Sequence, residues 1–373
     1  MVEVTLSVEG GGVYIVGQTI KCALLVQNNS DVTDRLAWAT GQISGHVTVD
    51  ERHVQIAREQ QEEVVTNSSS ALTKHVANDC FFSSDPEILF CDLQLPPQSS
   101  KELKFSGIVP THSPPSYRGS YIKYSYIVLV GLQRVNKPVT LINLPIRIIN
   151  LPGITLVDGP KKPLSHPFAP REECINYEDY FMDKVQSLCC KRPRSFEVKT
   201  SEGLVSIVRL TKGAYRLGDP IEVNLEFGDL QCVQVTLKLQ ALETLSPESE
   251  VREGTDTRCT THDTKTIQCI HTRSTAVTLH IPLNVVNSFS TNIVLVRWQV
   301  HFDFVIAHLP QTAEIVDAGL TSVSAKGLDC DWRPLDTLNV STLSWELPIR
   351  VVPTLPQYIA TIAWQRTQTK DTV

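Results

Sequence analysis

The chain contains no stretch of about 18 uncharged apolar residues, the length a helix needs to cross a bilayer. Its opening residues, MVEVTLSVEG, have neither the basic nor the apolar segment of a secretory leader and read as a strand. Positive charge is scarce: 34 Lys and Arg stand against 40 Asp and Glu, a formal net charge of -6. Nucleic acid is therefore disfavoured as the main partner, because phosphate neutralisation needs a basic face. Familiar catalytic signatures are missing too. There is no G-x-S-x-G elbow, no H-E-x-x-H and no paired-carboxylate pattern on a helix. GGGVYIVG, from Gly10 to Gly17, lacks the Lys-Ser or Lys-Thr of a phosphate loop and leads into a strand, so it reads as a turn. The residues alone thus nominate no catalytic, cofactor-binding or metal-binding group, and no partner-contact residue.

What is present is ordinary globular material, 42% hydrophobic and 20% charged over 373 residues, enough for two or three domains. The ten cysteines are scattered and, with no secretory signal, are expected to be reduced cytosolic thiols. Adjacent Cys189 and Cys190 cannot pair with each other without strain.

Strand signals dominate both halves. TIKCALLVQN, ILFCDLQL, YIKYSYIVLVG and VTLINLPIRIIN lie in the first, and GLVSIVRL, PIEVNLEF, QCVQVTLKLQALE and STAVTLHIPL in the second. The longest apolar run, NIVLVRWQVHFDFVIA, alternates Arg297, Gln299, His301 and Asp303 with Val296, Trp298, Val300, Phe302 and Phe304. A period of two belongs to a half-buried strand and would bring charge into lipid if wound as a helix.

Two phrases recur. VYIVGQTIKCALL aligns with AYRLGDPIEVNLE, placing Tyr14 and Gly17 on Tyr215 and Gly218, and LPIR occurs at Leu144–Arg147 and Leu347–Arg350. Nearly constant spacing between these landmarks points to an internal duplication. Glycine suits the turn before the next strand. Pro145 and Pro348, lacking an N–H, must face away from a ladder partner. LPIR is read as a marker of each half's last strand and not as a functional site.

The expected organisation is an all-β pair of tandem antiparallel sandwiches, over residues 1–151 and 196–353. A linker occupies 152–195 and a loosely ordered tail 354–373. Within the linker, Ile175, Phe181, Met182, Val185 and Leu188 roughly match helical spacing. Residues Glu51 to Asp85 and Leu309 to Leu338 read as long exposed loops.

Three short clusters invite functional readings. Cys259, His262, Cys269 and His271 supply zinc-type ligands, but C-x2-H-x6-C-x-H departs from finger spacing and puts the last two on one face of a strand. A hairpin with a core cysteine and surface histidines is the preferred reading, with a zinc-dependent enzyme as the competing one. PPSY, from Pro114 to Tyr117, matches a WW-domain ligand, which would have to be exposed and extended. Because it runs directly into a strong strand, it is read as a turn with Tyr117 packed. CCKRPR, from Cys189 to Arg194, could be acylated against a membrane at Cys189 or Cys190, but its default is a solvated linker.

Taken in order, ILFCDLQLPP, PPSYRGSYIKYSY, GLQRVNKPVTLINLPIR, YRLGDPIEVNLEFG and VRWQVHFDFV resemble the Rgp family over most of residues 1 to 353. The resemblance implies an arrestin-like fold. It also implies a non-catalytic subunit, without cofactors, of a guanine-nucleotide exchange factor. Such a subunit would act with the Ric subunit on the Golgi Rab-six GTPase in retrograde endosome-to-Golgi transport, and would be cytosolic with peripheral recruitment to Golgi membranes. Strand edges of such sandwiches suit an extended ligand, and the GTPase's flexible C-terminal tail is a ligand of that kind. The alternative within the fold is an arrestin-type cargo or ubiquitin-ligase adaptor, which would use the Pro-Pro-x-Tyr phrase.

Overall fold

Alternating side chains give the chain its strands, and the strands bury one face each. In the computed structural model the residues described are 2–50, 54–55, 80–151, 177–190, 192–246, 250–251, 257–270, 272–308, 339–363 and 368–372. The first half contributes β1 (Val2–Val8), β2 (Val13–Ile15), β3 (Thr19–Asn28), β4 (Asp34–Val49), β5 (Val54–Gln55), β6 (Cys80–Ser83), β7 (Glu87–Leu95), β8 (Ser100–Ile108), β9 (Tyr117–Arg118), β10 (Ile122–Arg134) and β11 (Val139–Ile149). Helix α1 (Tyr177–Leu188) follows. The second half contributes β12 (Arg194–Thr200), β13 (Gly203–Leu210), β14 (Ala214–Arg216), β15 (Pro220–Phe227), β16 (Cys232–Leu245), β17 (Glu250–Val251), β18 (Thr257–Gln268), β19 (Ser274–His280), β20 (Phe289–Ser290), β21 (Val294–Ala307) and β22 (Val340–Val352). Helix α2 (Pro356–Ala363) and strand β23 (Gln368–Thr372) complete the order.

The protein is all-β, with two sheets in each half. In the first half, β23-β1-β3-β8 is one sheet and β2-β11-β10-β4-β6, joined by β7 and β9, is the other. The second half repeats this as β12-β13-β15-β19 and β14-β22-β21-β16-β18, with β20 beside β21. The core is continuous: Leu6, Leu24, Val128 and Leu144 in the first half and Val208, Leu225, Phe302 and Phe304 in the second are all solvent-inaccessible or nearly so.

The duplicated phrases occupy matching places. β2 runs parallel to β11 with Tyr14 opposite Ile148, and β14 runs parallel to β22 with Tyr215 opposite Val351. The turns after β2 and β14 are copied almost bond for bond. Gly17 and Gly218 sit at φ 82° and 86°, where glycine carries no Cβ penalty. The Gln18 and Asp219 side chains accept from the N–H groups of Ile15 and Arg216 at 3.0 and 3.2 Å. Pro145 lies opposite Ile127 of β10, and β2 covers the other side of β11 only from Arg147 to Ile149. Pro348 has the same setting, opposite Gln299 and beyond the reach of β14. Among the described residues, no strand requires an N–H from either proline on that outer side.

The structure departs from the sequence expectation in two places. Where the sequence suggests a loose tail from Thr354, α2 buries Ile359 and β23 pairs antiparallel with β1, from Glu3↔Thr372 to Ser7↔Gln368. β23 thereby fills in the first half the edge position that β12 fills in the second. In the expected Glu51–Asp85 loop, β6 adds to β4, with Ser83 opposite Ser44. Phe81 of β6 meets Tyr124 and Tyr126 edge-on at 5.8 and 5.6 Å. The Leu309–Leu338 segment lies outside the described residues.

Helix α1 docks within the chain. Phe181 and Val185, one turn apart, are fully buried, and Cys189 just beyond the helix is nearly so. Gln18 Nε2 donates to Glu178 Oε1 at 3.3 Å, tying α1 to the turn after β2. Met182 and Leu188 are half-buried, and Ile175 lies outside the described residues.

Candidate functional site

Where the two halves meet, apolar side chains from both build a small separate core. Ile122 and Tyr124 of β10 pack with Phe289, Val294 and Val296 of β20 and β21. Tyr117 approaches Phe289 edge-on, with ring centres 5.1 Å apart. The Tyr124 hydroxyl donates to Thr291 Oγ1 at 3.2 Å. β5 and β17, one from each half, pair through Val54 and Val251.

Polar links cross the same junction. Glu243 of β16 is buried, and its carboxylate accepts the backbone N–H groups of Ser120 at 2.7 Å and Tyr121 at 3.2 Å. Burial raises the Tyr117 phenol far above its ordinary range, and the nearby Glu243 carboxylate, which it hydrogen-bonds, raises it further. Gly119 must be glycine here, because a Cβ would stand 2.2 Å from Glu243 Oε1 and 2.5 Å from the Tyr117 ring. Arg147 of β11 donates from Nη2 to the Val285 carbonyl at 2.9 Å, and Asn287 Nδ2 donates to the Asn150 carbonyl at 3.3 Å.

Beside these links the halves leave an open cleft of about 910 Å³. One wall comes from β9, β10 and β11 and carries Arg118, Lys123 and Arg147. The other comes from β16, β18 and β21 and carries Thr260, His262 and Trp298. His262 is the extra residue of a bulge in β18, between the pairs Leu239↔Asp263 and Gln240↔Thr261. Bulges re-aim side chains, and this one lays the imidazole on the Trp298 ring at 4.9 Å and 28°. Burial holds His262 below its ordinary pKa range. The Trp298 indole N–H donates to the Val286 carbonyl at 3.2 Å, which fixes the ring beneath.

The cysteine–histidine cluster is not assembled. Thr260 and His262 face the cleft, so Cys259 points to the opposite face of β18 and is exposed. Cys269 is buried with its sulfur 3.7 Å from that of Cys232. His271 lies outside the described residues, and among those described no group of three or more His, Cys, Asp or Glu side chains could hold a metal. All eight described cysteines are free thiols.

PPSY is consumed by internal bonds. The Pro114 carbonyl accepts from the Tyr126 hydroxyl at 2.6 Å, and Ser116 both donates its N–H to the Ile148 carbonyl and accepts the Ile148 N–H at its hydroxyl. Pro115 is buried and Tyr117 half-buried. A WW domain could not reach this segment without unfolding it. In CCKRPR, Cys189 is buried and Cys190 exposed, so an acyl chain could reach only the second.

Glu243 and Arg147 were legible to different degrees. Glu243 occupies the inward phase of β16, in step with Val235, Leu237 and Leu239, and a carboxylate in that phase is a sequence-level sign of a buried polar link. Arg147 carries no such sign. Arg350, its duplicate, is exposed, whereas Arg147 is turned into the junction. The first LPIR copy is therefore part of the site as well as a fold marker.

Comparison with known proteins adds to this geometry. The family model described as Rgp1 matches residues 27–152 and 173–307, which hold both walls of the cleft. RAB6A-GEF complex partner protein 2 of Homo sapiens is 30% identical over 380 residues, spanning 95% of this chain and 96% of the relative. The Bos taurus protein of the same name is 30% identical over 374 residues, spanning 94% and 93%. With the fold and the junction described, these matches place the chain in the Rgp1 family.

Proposed function

We propose that this protein is a non-catalytic subunit of a Rab guanine-nucleotide exchange factor complex. It acts beside a Ric-type subunit to bind a Rab-six-type GTPase and promote GDP release in retrograde traffic at the Golgi. The observation that carries this reading is 30% identity, over nearly the full length of both chains, to relatives named RAB6A-GEF complex partner protein 2. The architecture suits the role. Exchange needs a surface that prefers the nucleotide-free GTPase and requires no covalent chemistry. No helix among the described residues is long and apolar enough to cross a membrane, which fits peripheral recruitment.

Two linked sandwiches, arrestin-like in this reading, offer strand edges on which an extended GTPase tail could add backbone hydrogen bonds. The outer edge of β18, which ends its sheet among the described residues, is one such place. Release of labelled GDP from purified Rab proteins should be followed with the Ric-type subunit alone and with this chain added. Faster release from one Rab on addition of the chain is expected. Failure to co-purify with that subunit, together with unchanged exchange, would sink the assignment. Unchanged binding of a tail-deleted GTPase would remove the tail from the account and leave the rest standing.

A further inference from the structure

The cleft wall built by β9, β10 and β11 carries three cations that have no carboxylate partner among the described residues. Arg118 and Lys123 are directly opposite each other across the β9–β10 pair. Like charges in that arrangement repel, and a neutral pair would be more stable. Neither forms an ion pair among the described residues, although acidic residues outnumber basic ones in the chain as a whole. Arg147 lines the same cleft. Its one described hydrogen bond goes to a backbone carbonyl, and burial lowers its pKa, so a guanidinium is being kept in a place that disfavours its charge. Glu243, the acidic residue in the lining, forms no ion pair with them among the described residues. Its oxygens are occupied by the Ser120 and Tyr121 N–H groups and by Tyr117.

A protein with net negative charge thus holds, around a cleft large enough for a small ligand, three cations that form no ion pair among the described residues. Guanidinium and ammonium donors suit the charge and the fork geometry of phosphate oxygens. Across the cleft, the half-buried His262 lies flat over the buried Trp298, and its outer face is a wall against which a ring could lie.

We propose that the cleft between the two sandwiches is a binding site for a small phosphate ester, with Arg118, Lys123 and Arg147 engaging its phosphate oxygens and the His262–Trp298 wall its ring. Bound there, the ligand would relieve the repulsion between Arg118 and Lys123 and brace the two halves, since Arg147 already spans the junction.

The test uses the full-length chain, titrated calorimetrically with pyrophosphate and with inositol trisphosphate. Four proteins are compared: wild type, Arg118→Gln/Lys123→Gln, Arg147→Gln, and the control Lys101→Gln/Lys104→Gln on distant β8. Expected is binding by wild type and by the control, with affinity roughly tenfold or more weaker in the Arg118/Lys123 variant. Both of those side chains are on or near the surface, so that variant stays folded even if Arg147→Gln does not. No binding of either probe by wild type, or equal losses in both double variants, would overturn the proposal. A parallel flotation with phosphatidylcholine vesicles, with and without a phosphatidylinositol phosphate, separates the sources. Co-flotation that depends on Arg118 and Lys123 assigns a lipid headgroup, and binding confined to the soluble probes assigns a free phosphate ester.

Discussion

The Glu243 carboxylate of the second sandwich holds two consecutive backbone N–H groups of the first, those of Ser120 and Tyr121, at 2.7 and 3.2 Å. Removing it strands the buried Tyr121 donor, at a cost of about 1–3 kcal/mol, and leaves the part-buried Ser120 N–H to water. Glu243→Ala should therefore destabilise the protein by a few kcal/mol, with Glu243→Gln losing less because it keeps an acceptor oxygen. Urea denaturation gives the size of the loss. Amide exchange at Ser120 and Tyr121, accelerated in the alanine variant, ties it to this contact.

Gly119 tests the same contact from the other side. A methyl group there overlaps Glu243 Oε1 and the Tyr117 ring together, and moving Oε1 away would stretch its bond to the Tyr121 N–H. Overpacking of this kind costs about 1–3 kcal/mol. Combining Gly119→Ala with Glu243→Ala should cost clearly less than the sum of the two, because the second substitution removes the atom that the first one strikes. An additive result in a double-mutant cycle would mean that the two residues do not share this contact.

The difference between what could be read from sequence and what could not has a physical pattern. Strands with clean alternation, such as Thr19–Asn28, Gly203–Leu210 and Pro220–Phe227, are visible because every second side chain enters one core. β4 is not visible as a strand, because Gly41 and Gly45 break its pattern. In the structure they are small for contact reasons, since a Cβ would come within 2.7 Å of Phe105 and Phe81 respectively. β23 is a short polar strand that exists through its pairing with β1, and a local pattern cannot show a partner more than 360 residues away. The cleft was equally hidden. His262 enters it through a bulge and Arg147 through the packing of one half on the other, and neither is a local property.

The fully buried anchors of helix α1 are one turn-spaced pair, Phe181 and Val185, with Tyr180, Met182 and Leu188 half-buried beside them. Truncating a buried phenylalanine costs about 3–5 kcal/mol, more than short helices recover from intrinsic propensity. Phe181→Ala should lower the melting temperature and expose the 177–188 segment to protease. Glu178→Ala, which removes a part-buried hydrogen bond to Gln18, should have a far smaller effect. Equal protease sensitivity in the two variants would show that the helix is held by something other than its buried face.

β23 closes the first sandwich as β12 closes the second, and the two can be compared directly. Deleting residues 364–373 leaves β1 with β3 as its neighbour on one side and an open edge on the other. Hydrogen exchange in Glu3–Ser7 should rise about tenfold or more, while the β12–β13 pair remains as protected as before. The deletion should also promote self-association, since an uncovered edge is a template for another strand. Unchanged exchange at β1 would remove β23 from the sandwich.

On the outward face of β21, Asp303 accepts from Lys238 Nζ at 2.8 Å, from the Ser344 hydroxyl at 2.7 Å and from His301 Nε2 at 3.0 Å. Burial pushes its carboxyl up, but these hydrogen bonds and the charge of His301 outweigh it and bring the pKa down to about 2. A folded-state value below the unfolded one makes the ionised group stabilising. That contribution is fully present above the ordinary carboxylate range, near pH 4, and is lost as pH falls toward 2. Asp303→Asn lacks it at every pH. The gap in melting temperature between wild type and variant should therefore be open at pH 5 and narrow steadily between pH 4 and pH 2. A gap that stayed constant over that interval would mean that Asp303 does not titrate below its unfolded value, and that its three donors do not act on the ionised form.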